Sequence, residues 1–74
     1  MLYEIQGWYD GYKELQGWME DWLDLHDLHS VHFYLDEFGG GHFEVEFDYL
    51  DEWAINMMNT LEDDFPDIEV TNLA

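Results

Sequence analysis

Residues 31–49 read VHFYLDEFGGGHFEVEFDY, and this stretch decides the fold. From Val31 to Phe38, the apolar Val31, Phe33 and Leu35 alternate with His32, Tyr34 and Asp36. From His42 to Tyr49, Phe43, Val45, Phe47 and Tyr49 alternate with Glu44, Glu46 and Asp48. A period of two marks a strand with one face in a core and the other in water. Gly39-Gly40-Gly41 joins the two runs, and glycine supplies the positive φ values that tight hairpin turns need. The stretch is therefore a β-hairpin.

Helical periods flank it on both sides. Before the hairpin, residues from Trp8 to about Leu28 place Trp8, Tyr12, Leu15, Met19, Trp22 and Leu23 on one helix face. Asp10, Glu14, Asp21 and Asp24 fall on the opposite face. Gly11 and Gly17 each weaken such a helix by about 1 kcal/mol relative to Ala. Ahead of it, Met1 to Gln6 alternates as a short strand and Gly7 ends it. After the hairpin, Leu50 to Phe65 carries Leu50, Trp53, Ala54, Met57, Leu61 and Phe65 on one side. Asp48 suits the N-cap, Asp51 and Glu52 suit the positive end of the helix dipole, and Pro66 stops the helix. Ile68, Val70 and Asn72 then alternate with Asp67, Glu69 and Thr71 as a last strand.

The resulting order, β-α-β-β-α-β across residues 1–74, is one α+β domain. It predicts a ferredoxin-like sandwich, in which two helices cover one face of an antiparallel sheet. Should the first strand fail, the alternative is α-β-β-α-β on three strands. Either way one sheet face stays bare, and the pattern assigns it Glu4, Asp36, Glu44, Glu46, Asp48 and Glu69, with Tyr34 and His32. Same-face neighbours on a strand stand about 6.8 Å apart, so the carboxylates form rows.

The composition sharpens this picture. Of 74 residues, 47% are hydrophobic and 19% aromatic, which separates the chain from disordered acidic tails that cannot bury enough apolar area to fold. Against this core stand 19 Asp and Glu, one Lys (Lys13) and no Arg, a formal net charge of −18. Spread over a domain roughly 29 Å across, that is about one negative charge per 1.6 Å, close to the ~1.7 Å of duplex DNA. Solubility needs far less charge, and self-repulsion of this size opposes compaction. A requirement for recognition accounts for it. A halophilic setting is the other source of such a charge and would show as unfolding in low salt.

The same balance excludes functions. Direct nucleic-acid binding rests on neutralising phosphates with Lys and Arg, of which this chain has one, Lys13. An anionic membrane surface would repel it. With no Cys there is no disulfide, thiolate nucleophile or Cys-ligated metal, which fits a cytoplasmic setting. Met1-Leu-Tyr-Glu has neither a basic n-region nor an apolar run, which argues against a signal peptide. The glycine triplet lacks the Lys and Ser/Thr of a phosphate loop. Asp36-Glu37-Phe38-Gly39 does not follow the alternate acidic spacing of a calcium loop. No nucleophile, base and oxyanion donor come together in sequence, so no enzyme and no cofactor are expected. His26 and His29 could share a helix face with His32 nearby, a spacing some metal sites use. The simpler reading is a helix C-terminus, where His complements the dipole, followed by an exposed strand His, and no metal site is expected.

In size, charge, lack of Cys and compact α/β pattern, the whole chain resembles the small acidic inhibitors that bacteriophages encode against host defences. These are the anti-CRISPR and anti-restriction proteins and the uracil-DNA glycosylase inhibitor. The resemblance implies DNA mimicry inside the bacterial host cell: a cytoplasmic protein, monomeric or a small homo-oligomer, fills the cationic channel of a nucleic-acid-binding protein. A CRISPR effector, with its basic PAM-reading surface, is the favoured partner. The alternative is an immunity protein or antitoxin covering the active site of a restriction enzyme or other nuclease. Two partner-binding strips are expected: Asp10, Glu14, Asp21 and Asp24 on the first helix, and Asp36, Glu44, Glu46 and Asp48 on the hairpin.

Overall fold

The hairpin forms around Gly40 and Gly41, whose φ values of 61° and 78° give the two-residue loop the positive pair that type I′ turns require. A computed structural model describes residues 1–48 and 52–73. The elements run β1 (Leu2–Gln6), α1 (Tyr12–Leu25), β2 (Phe33–Gly39), β3 (His42–Phe47), α2 (Glu52–Asp64) and β4 (Glu69–Asn72). The four strands form one antiparallel sheet in the order β2-β3-β1-β4. This is an α+β fold compatible with the expected ferredoxin-like arrangement, with β1 and β3 central and β2 and β4 at the edges.

Register explains the layering. Leu35 pairs with Val45 and Val45 with Tyr3; Phe43 pairs with Ile5 and Ile5 with Val70. These rows face the helices and join Leu15, Met19, Trp22 and Leu23 of α1 and Ala54, Met57, Met58 and Leu61 of α2 in a single core. Aromatic edges lock it: Phe47 meets Tyr3 at 5.9 Å and Trp53 at 5.2 Å between ring centroids. The backbone extends the pairing at both ends, with the Phe47 amide donating to Met1 O and the Leu73 amide to Leu2 O. The outer strands β2 and β4 carry Asp36, Glu37 and Glu69, charges that discourage edge-to-edge association.

Both ends of the first helix depart from expectation. It starts at Tyr12 and not at Trp8, because Gly11 holds a φ of 98° that no helix accommodates. Trp8 is still buried, but in a loop: its indole N–H donates to Gly11 O at 3.0 Å and its ring meets Phe65 edge-on. The other end stops at Leu25, three residues early. Asp27 takes a left-handed φ of 57°, its amide donates to Asp24 O, and the Leu28 amide donates to Leu23 O. That pair of bonds is a Schellman cap, with Asp in the position glycine usually takes and Leu28 packed on the core as its apolar contact. The hairpin strands are also shorter than their sequence patterns, beginning at Phe33 and ending at Phe47. The second helix ends at Asp64, one residue before Phe65 and two before Pro66, while the expected contributions of Tyr49, Leu50 and Asp51 lie outside the described residues.

Candidate functional site

The face of the sheet away from the helices is open. Across it, Asp36 of β2 pairs with Glu44 of β3, Glu44 with Glu4 of β1, and Glu4 with Thr71 of β4. Three carboxylates therefore stand side by side on three neighbouring strands, roughly 4.8 Å apart at the backbone. A second row runs Tyr34, Glu46, Leu2, and a third brings His42, Gln6 and Glu69 together. Like charges directly opposite one another destabilise a sheet. Nothing in the core demands them here, so this row is the feature of the fold in need of a functional reason.

The hairpin strip thus assembles in large part: Asp36, Glu44 and Glu46 share the open face. Asp48 is exposed in the bend just after β3. The helix strip divides. Asp10 precedes α1, yet it joins Glu14 and Asp21 around a shallow groove of about 400 Å³ beside Trp8, Trp18 and Phe65, with Lys13 also on its lining. Asp24 belongs to another group, 3.6 Å from His29 Nδ1, while Asp27 lies 3.5 Å from His29 Nε2. Because the helices cover the opposite face of the sheet, the two strips point away from each other, and no flat partner surface meets both.

The histidines sort in the same way. His26 does not share a helix face with His29, because the helix ends at Leu25, with His26 as its cap; the His26 ring stacks on Trp22 at 4.0 Å. His32 is exposed ahead of β2. Sequence reasoning passed over His42, which lies on the open face between Glu4 and Phe38. Its Nε2 is 3.0 Å from Glu4 Oε2, and the Phe38 ring lies 5.1 Å away at 31°. Among the described residues, Glu4, His42 and Glu44 are the one trio in which a single ligand atom from each residue lies within 4.8 Å of the other two. The signal for it is the register of β1 on β3, which sets Glu4 beside Glu44 and Gln6 beside His42.

In comparison with known proteins, the chain matches no family model, no curated protein and no solved structure. Its ferredoxin-like character is thus a matter of element order and strand order. No helix among the described residues is long and apolar enough to cross a membrane.

Proposed function

We propose that the protein is a DNA mimic whose open sheet face occupies the cationic, nucleic-acid-binding channel of another protein, without catalysis. The observation that carries this reading is the Asp36–Glu44–Glu4 row, flanked by Glu46, in a chain of 19 acidic residues and one Lys. Rigid β-strands hold these carboxylates at fixed spacing, so little conformational entropy is lost when Arg and Lys side chains close on them. Tyr34 and Phe38 are 60% and 58% exposed beside the row and supply apolar anchors within a charged interface. The helix strip is the lesser choice, since it is split between two groups and holds the chain's lone Lys.

By resemblance to phage-encoded inhibitors, the favoured partner is a CRISPR effector, whose DNA-binding surface is such a channel. A nuclease bound by an immunity protein or antitoxin offers the same chemistry, and the identity of the partner separates the two.

Competition decides the matter. The protein should displace duplex DNA from its partner, with affinity falling as salt rises because charge pairs are screened. The double substitution Asp36→Lys with Glu46→Lys should weaken inhibition by at least about tenfold through repulsion at the interface while leaving the fold intact. Undiminished inhibition by that variant would remove the sheet face as the site. Inhibition no better than that of polyglutamate at equal charge would remove specific mimicry altogether.

A further inference from the structure

We propose that Glu4, His42 and Glu44 bind one divalent transition-metal ion, with zinc the best match, on the open face of the sheet. This goes beyond partner binding: it draws on Glu4 and Glu44 of the same row, so the ion and a partner's cations compete for these two carboxylates, and its test needs no partner. Four observations lead to it. The three side chains are half-buried, and their donor atoms converge within 4.8 Å. His42 Nε2 is closed to solvent and makes no hydrogen bond, although Glu4 Oε2 stands 3.0 Å away. Glu4 and Glu44 are cross-strand partners, so two like charges are pressed together on adjacent strands. Finally, the surroundings orient the donors: Gln6 Nε2 donates to Glu4 Oε1 at 3.1 Å, which leaves Oε2 toward His42, and the Phe38 ring lies against the imidazole.

The geometry suits a small ion. Nitrogen and oxygen ligands about 2.1 Å from one ion, at ordinary coordination angles, lie roughly 3.0–3.4 Å apart, and the His42–Glu4 pair already stands at that separation. An imidazole in the set selects zinc and its neighbours over magnesium and calcium, which take all-oxygen shells. A dication cancels the charge of the two glutamates, and the surrounding −18 field concentrates cations at the surface. Three protein ligands leave a coordination position open to water or to a group from outside.

The test is calorimetric titration of the chelator-treated 74-residue chain with zinc chloride in buffered saline, alongside thermal melting. The expected result is one equivalent bound. At a hundredfold excess of free zinc over the dissociation constant, the melting temperature should rise by roughly 10 °C or more. Cobalt in place of zinc should give visible absorption bands. His42→Gln and the near-isosteric Glu4→Gln should each weaken binding by at least about tenfold, and Gln6→Leu by about tenfold through loss of orientation. His29→Ala, which alters the other His–carboxylate group, should leave it unchanged. Circular dichroism checks the fold of each variant, and Glu4→Gln carries the test should His42→Gln fail to fold. The proposal is overturned by any of three results: no zinc bound at millimolar concentration, equal binding by Glu4→Gln, or an equal rise in melting temperature from magnesium, which would mean diffuse screening.

Discussion

The two faces of the sheet are built from the same four strands and could hardly differ more. On the covered face, Ile5, Phe43, Val45 and Phe47 are at most 1% exposed. One residue along each strand, Glu4 and Glu44 are half-buried and Glu46 is exposed on the open face. Apolar burial and surface charge are thus interleaved at single-residue spacing, yet they draw on different physics. The covered face gains from burial and packing, whereas the open face accepts repulsion among carboxylates. Substitutions at adjacent positions should therefore have opposite consequences.

The largest effect is expected on the covered side. Phe43→Ala removes a fully buried ring, at a cost of about 3–5 kcal/mol. A chain of this length has a total stability of roughly 4–11 kcal/mol, so the variant should be largely unfolded on mild heating or in low denaturant. Its neighbour Glu44→Gln should retain a cooperative melt. Chemical denaturation of the pair measures the contrast, and equal losses would show that the open face is as structural as the covered one.

The turn that sets the register between the faces comes next. Gly41 has a φ of 78°, and a Cβ there would stand 2.7 Å from the Tyr9 ring. Gly40 has a φ of 61° with open space around it. Gly41→Ala should cost about 1–3 kcal/mol, and Gly40→Ala about 1–2 kcal/mol from left-handed strain alone. Adding Tyr9→Ala to Gly41→Ala should recover the steric part of the loss, and a double-mutant cycle reads it.

The contrast also shows what could be read from residues alone. Alternation in 31–49 located the hairpin and assigned both its faces, since Phe43, Val45 and Phe47 are buried and Glu44 and Glu46 are not. Helical periodicity found the core residues Leu15, Met19, Trp22, Ala54, Met57 and Leu61. It could not place the ends of α1. Trp8 falls on the helical period but reaches the core from a loop, and Asp27 caps the helix in a conformation more often taken by Gly. The Glu4–His42–Glu44 convergence was hidden for another reason. Glu4 lies far along the chain from His42 and Glu44, and a one-residue slip of β1 on β3 would send Glu4 to the core side. Composition announced an acidic surface, but register decides which carboxylates meet.

A smaller effect sharpens the difference on the open face itself. In chelator and low salt, Glu44→Gln should stabilise the fold by about 0.2–1 kcal/mol, because it relieves repulsion from Glu4 and Asp36 across the strands. With zinc added, the sign should reverse, since the substitution removes a ligand. A pair of melts with and without the ion measures both. Stabilisation of equal size under both conditions would separate the repulsion from any metal.

The smallest effect at neutral pH lies with Tyr3, a buried covered-face residue that carries an ionisable group. Burial against the core raises its phenol above the ordinary value of 10.0, because the phenolate would be stranded among apolar side chains. The unfolded chain, with Tyr3 in water, releases that proton near pH 10. A group whose folded pKa exceeds its unfolded one contributes stability that is fully present below pH 10 and is lost as pH rises through the folded value. Denaturation midpoints followed upward from pH 9 should fall, and Tyr3→Phe should fall less over the same interval. Coincident curves would mean that the phenol is already hydrated in the folded state and that the covered face admits water at its β1 end. Divergent curves would show the covered face resisting a single negative charge only one residue from the open face, where Glu4, Glu44 and Asp36 stand together.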